Sequence, residues 1–251
     1  MKKIITALLI ASLLIVSSAG NAGALGDADK AYKSSNYAKA IKLYKSPALK
    51  GNPNAQFALG VMYENGQGVA QDYAEAFKWY RLAAEQGTAE EQAKDRWYGY
   101  AKGPNIVNAQ TNIGYMYANG LGVTKDYTEA VRWYRLAAEQ GDAKAEVLLA
   151  RMYDDGNRIK QDYVEAVKWW RMAAEQGVAI AQQNLGYMYE DGHGVTQDYV
   201  LAHMWYNLAA MSNTTLAGKR RAQISKSMTT DQIALAQKLA RECVARKYKG
   251  C

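Results

Sequence analysis

The stretch YTEAVRWYRLAAEQG, residues 127–141, recurs almost unchanged as YAEAFKWYRLAAEQG at 73–87 and YVEAVKWWRMAAEQG at 163–177. A fainter copy, YVLAHMWYNLAAMSN, stands at 199–213. Its marker tryptophan falls at Trp79, Trp133, Trp169 and Trp205, and the last three are spaced 36 residues apart. Leu43 lies 36 residues before Trp79 in the same setting, with Tyr37, Ala40 and Tyr44 matching Tyr73, Ala76 and Tyr80. A self-similar period of this length marks a solenoid, in which one unit cannot bury its apolar face alone but stacked neighbours can.

Each unit carries two helix signals. The first half reads AQFALGVMYENG, AQTNIGYMYANG, AEVLLARMYDDG or AQQNLGYMYEDG. Ala55, Leu59 and Tyr63 form an apolar stripe at i, i+4, i+8. Asn-Gly or Asp-Gly then stops the helix, because glycine accepts the left-handed conformation at a helix end. The second helix starts at Asp72, Asp126, Asp162 and Asp198. In three copies a glutamate follows three residues on (Glu75, Glu129, Glu165), which reads as a capping box. Gln-Gly closes that helix in the clearest copies. The expected fold is all-α, a stack of short antiparallel helix pairs. The constant register of the Trp-Tyr pairs makes them core packing and not a ligand cage.

The pattern A-Q-x-x-L-G-x-M-Y-x-x-G-x-G-V-x-x-D-Y-x-E-A-x-x-W-Y-R-x-A-A-E-Q-G resembles the Sel-1-like repeat, a relative of the tetratricopeptide repeat. The resemblance is strong over residues 55–87 and 109–210. It implies an α/α solenoid, a right-handed superhelix of α-hairpins, that serves as a protein-binding scaffold. It also implies the settings of many bacterial members: export, the cell envelope, host contact, peptidoglycan metabolism or polysaccharide secretion. The chain then divides into a capping half-repeat at 25–54, repeats at 55–90, 109–144, 145–180 and 181–213, and basic capping helices at 214–251.

The pattern breaks twice. Trp79 and Trp133 are 54 residues apart, one and a half periods, and WYGYAKGPNIVNAQ at 97–110 aligns with WYRLAAEQGDAKAE at 133–146. Residues 91–108 therefore read as a truncated repeat. Losing one helix from an alternating series should invert the direction of the later helices, so an irregular joint dividing the solenoid is expected near residues 88–108. In the third full unit, Arg158 replaces the second glycine of the NGQGV, NGLGV and DGHGV turns, which requires a different turn or a strained one.

In such stacks the first helix of each pair lines the concave face. With Leu59 and Tyr63 inward, Phe57, Val61 and Glu64 fall on the opposite side. The equivalents are Thr111, Tyr115 and Ala118; Val147, Arg151 and Asp154; and Gln183, Tyr187 and Glu190. These positions vary where core positions repeat, so they are the expected surface for a protein or peptide partner. Tyr115, Arg151 and Tyr187 are of the types that anchor interfaces.

Chemical signals are sparse. The chain has two histidines: His193, read as a solvated turn residue, and His203, read as a packing residue at the position of Phe77, Val131 and Val167. No metal-ligand spacing, phosphate loop or nucleophile motif is present, so neither cofactor, metal nor catalysis is expected. A cell-wall-active enzyme or handler of β-lactam or peptidoglycan is the rival class.

At the N-terminus, Lys2 and Lys3 precede an apolar run from Ile4 to Val16 and a small-residue stretch ending Ala22-Gly23-Ala24. This is the pattern of a signal peptide cleaved after Ala24, giving a periplasmic or secreted protein. Cys243 and Cys251 agree with an oxidising compartment. They are expected to bridge if the last helix, which the pattern at Thr229–Val244 places at about 230–246, ends soon after Cys243. Residues 219–251 hold nine Lys or Arg and two acidic residues, a net +7 within a chain of formal net charge +7. That end could meet an anionic membrane surface or an acidic partner. Export argues against nucleic acid.

Overall fold

The computed structural model describes residues 23–92, 104–212 and 215–251. Their regular elements are helices: α1 (23–33), α2 (Tyr37–Leu49), α3 (Pro53–Asn65), α4 (Tyr73–Gln92), α5 (Pro104–Asn119), α6 (Tyr127–Ala138), α7 (Ala143–Asp155), α8 (Tyr163–Glu175), α9 (Ala179–Asp191), α10 (Tyr199–Met211), α11 (Thr215–Ile224) and α12 (Thr230–Ala245). The fold is an all-α solenoid of repeats. It forms two compact units, one ending at Asp126 and one running from Tyr127 to Cys251. The expected signal peptide lies outside the described residues except for Gly23 and Ala24, which begin α1.

The local rules behind the helices are visible. The Asp162 carboxylate accepts from the Val164 and Glu165 amides, and Asp198 does the same for Val200 and Leu201. Glu75 and Glu165 do not complete the expected capping box. Glu75 instead accepts from Lys78, and Glu165 accepts from the Trp169 indole. A complete box occurs at Thr229–Gln232, ahead of α12.

Glycines are required where turns meet helices. Gly68, Gly122 and Gly194 have φ between 67° and 75°. A Cβ at each would stand 2.2–2.5 Å from the backbone of Tyr37, Tyr73 and Tyr163 respectively. The second turn glycine thus lets each turn close onto the start of the preceding repeat's second helix. Arg158 has no positive φ, and its turn takes the other expected course. There Asp155 accepts from the Asn157 amide and the Arg158 guanidinium.

In the first unit, Ala28, Ala31, Ala40, Ile41, Tyr44, Ala48, Ala55, Leu59 and Met62 form one buried cluster, with Leu25 and Trp79 packed against it. The expected joint near residues 88–108 is described only at its two ends. Gln86-Gly87 does not close α4, which runs on to Gln92 through a sequence of helix formers, and residues 93–103, most of the truncated unit, lie outside the described residues. The boundary between the two compact units falls at Asp126, beyond this stretch. The helix after the stretch keeps the contact that the other first helices make. Gln56 Nε2 donates to the Ala48 carbonyl at 3.0 Å, and Gln182 Nε2 to Ala174 at 3.2 Å, each across eight positions. Gln110 Nε2 donates in the same way to Ala84 at 3.4 Å, across 26 positions. α5 packs against both α4 and α3.

In the second unit, α10 packs on α9, α11 and α12. Ala217, Ile224, Ala236, Ala240 and Cys243 are buried beneath the two terminal helices. α12 ends at Ala245, and Lys247 and Tyr248 take left-handed conformations that turn the chain back. Cys243 and Cys251 form a disulfide with Cα atoms 5.5 Å apart. The Tyr248 ring lies against Gly177, at the end of α8, where a Cβ would stand 3.2 Å from it.

Candidate partner-binding surface

The variable positions of the first helices fall into three rows, and the rows differ in what they touch. In the first row, Phe57, Val147 and Gln183 are half-buried, and Phe57 tilts against the Tyr80 ring at 5.6 Å. Thr111 is only 1% exposed and its hydroxyl donates to the Val107 carbonyl. Thr111 therefore leaves the expected surface.

The third row is structural. The Tyr80 hydroxyl donates to Glu64 at 2.5 Å, and the Tyr206 hydroxyl donates to Glu190 at 2.5 Å, both across 16 positions. Burial first, and then the bond to the carboxylate, holds both phenols well above their ordinary range, so they stay neutral donors. In the third unit Asp154 faces Trp170 in place of a tyrosine, and burial raises its carboxyl. Glu190, 9% exposed, also meets the Arg220 guanidinium at 3.4 Å. Glu64 and Glu190 thus bind their own repeat, which corrects their expected place on a partner surface.

The middle row remains accessible. Tyr115 is 42% exposed and Tyr187 36%, Arg151 is exposed and Val61 half-buried. Here the repeats differ most in chemistry, as Val, Tyr, Arg and Tyr. Tyr187 is oriented by its neighbours: its hydroxyl bonds to Asp191, which raises its pKa, and Arg220 lies over its ring at 5.8 Å. His193 is not a free turn residue. Its ring stacks on Tyr163 at 4.4 Å and meets Tyr187 edge-on at 6.0 Å. The second unit therefore offers an exposed Arg151 and, as one cluster, Tyr187 with Arg220 over its ring and His193 and Tyr163 beside it. Sequence reading missed Arg220, which comes from α11, outside the repeats.

His203 is buried, as its repeat position suggested, and burial lowers its pKa, with Arg221 adding to the effect. Among the described residues no three His, Cys, Asp or Glu side chains are grouped to hold a metal ion. No described helix is long and apolar enough to cross a membrane. Four of the C-terminal cations have internal partners: Arg220 meets Glu190, Arg221 Asn207, Lys238 the Glu242 carboxylate and Arg246 the Glu242 carbonyl. Lys219, Lys226, Lys238, Arg241, Arg246, Lys247 and Lys249 are exposed.

Comparison with known proteins places this geometry. The Sel1 repeat model matches residues 23–52, 53–88, 107–142, 143–178 and 179–213. Its gap at 89–106 takes in the end of α4, the start of α5 and the residues 93–103 between them, which lie outside the described residues. The crystal structure of a Sel1 repeat protein from Oxalobacter formigenes is similar, with a TM-score of 0.70 and 31% identity, over 87% of this chain and 84% of that one. A protective antigen of uropathogenic Escherichia coli displaying an SLR fold gives a TM-score of 0.68 and 35% identity, over 84% of this chain and 42% of that one. An exopolysaccharide production negative regulator of Rhizobium leguminosarum bv. viciae is 36% identical over 92 residues, which is 37% of this chain and 32% of the regulator. The alignment thus spans about a third of that relative.

Proposed function

The chain belongs to the Sel1 repeat family, whose repeats make it a protein-interaction scaffold, and on that premise we propose that it is exported and binds a protein or peptide partner in the envelope or outside the cell. The observation that carries the reading is the middle row. Large aromatic and guanidinium side chains, the types that anchor interfaces, stand exposed on helices whose other faces are fixed by repeated core contacts. Export is supported by Lys2-Lys3, the apolar run and Ala22-Gly23-Ala24. The packed core takes in Leu25, the residue that cleavage after Ala24 would leave first. The exposed cations of residues 219–251 fit an acidic region of the same partner.

The test is affinity capture from an envelope fraction with the chain from Leu25 onward, comparing wild type with an Arg151→Ala/Tyr187→Ala variant. A specific partner should be retained by the first and lost at least tenfold by the second, since each anchor contributes on the order of 1–2 kcal/mol. Equal retention by a correctly folded variant would reject this surface.

A further inference from the structure

One junction of the second unit carries a different residue from its counterparts. Near the start of a first helix Gln56 and Gln182 use the amide N–H to reach the alanine carbonyl at the end of the preceding helix, and Gln110, in the second turn of α5, reaches Ala84 within α4. In the third unit the position is Glu146. Its backbone setting is the same as that of Gln56 and Gln182. The Ala138 carbonyl accepts from the Gly141 amide at 2.9 Å, as Ala48 accepts from Gly51 and Ala174 from Gly177, each at 3.0 Å. An ionised carboxylate has no proton to give that carbonyl, whereas a protonated one does.

The surroundings favour the proton. Glu146 is 1% exposed. From α8 it faces the neutral Gln176 amide, which donates to both carboxylate oxygens at 2.9 Å. On its own helix the nearest charge is the N-cap Asp142, of like sign. Both guanidiniums of α6 are engaged with other groups, Arg132 with Glu129 and Arg135 with Tyr153 and Glu165. Burial raises the Glu146 carboxyl to about 7, the Gln176 bond opposes that rise, and Asp142 adds to it.

We propose that the α6–α7–α8 junction is a proton-operated contact, in which protonated Glu146 takes the role of the glutamine and donates to the Ala138 carbonyl, and ionised Glu146 releases it. The folded-state value lies above the ordinary carboxylate value. The contribution is therefore complete below the ordinary value and is lost as pH rises through about 7. His203 acts in the opposite direction: its lowered value costs stability as pH falls. The informative quantity is thus the difference between two proteins and not one raw profile.

The experiment is denaturant unfolding of the full chain at pH 5, 6, 7 and 8 for wild type, Glu146→Gln and Gln182→Glu. Between pH 5 and 8 the wild-type folding constant should fall by at least about tenfold relative to Glu146→Gln, because each pH unit that separates the protonation of the two states is worth up to a factor of ten. Gln182→Glu should gain the same kind of dependence at the next junction. Parallel profiles for wild type and Glu146→Gln, or no added dependence in Gln182→Glu, would overturn the proposal. The readout is stability, so it stands or falls separately from partner binding.

Discussion

Trp169→Ala is expected to destabilise the second unit by about 3–5 kcal/mol, the cost of removing a large buried aromatic and leaving a cavity that close-packed neighbours cannot refill. Trp169 is 1% exposed, and its indole N–H donates to Glu165 at 3.0 Å. Lys168 lies over its ring at 4.7 Å, so truncation also strips a cation of its aromatic partner. Urea unfolding should show the midpoint falling while Tyr187→Ala, on an exposed position of the same unit, changes stability by less than about 1 kcal/mol. A Trp169→Ala protein as stable as wild type would mean that the repeated tryptophan is not core.

Gly194→Ala should be the next most damaging change, at on the order of 3 kcal/mol. Two costs add. A non-glycine residue at φ 71° pays about 1–2 kcal/mol for the left-handed region. The new Cβ also meets the Tyr163 carbonyl oxygen at 2.3 Å, and that oxygen is backbone at a helix start, so it has little room to retreat. The control is Gly218→Ala, in α11 with nothing within 4 Å, which should be neutral or slightly stabilising. Thermal unfolding of the three proteins measures both. Equal midpoints for Gly194→Ala and wild type would remove the explanation given for the second turn glycine.

The repeat architecture was readable because its causes are local. The Asp caps and the glycines that end the first helices each act within a few residues, and copies at a 36-residue spacing confirm one another. What was not readable depends on contacts between helices. Glu64 and Glu190 share a face with Val61 and Tyr187, so periodicity assigned them outward. Their tyrosine partners stand 16 residues away on the second helix, a distance that no helical period reports. The inversion argued for 88–108 rested on counting helices along the sequence, whereas register is set by contacts, and Gln110 meets Ala84 as Gln56 meets Ala48. The signal was present in the sequence, since Ala109-Gln110 repeats Ala55-Gln56 and Ala181-Gln182. Arg220 was hidden because it comes from a cap helix with no copy for comparison.

The central claim, that the middle row of the first helices is where a partner binds, is tested most directly by photo-crosslinking. A benzophenone side chain is placed in turn at Tyr115, Arg151 and Tyr187, and at Val164, which is exposed at the start of the second helix α8. One discrete crosslinked species is expected from positions on the first helices and none from Val164. Crosslinking from Val164 with none from Tyr115, Arg151 or Tyr187 would contradict the claim.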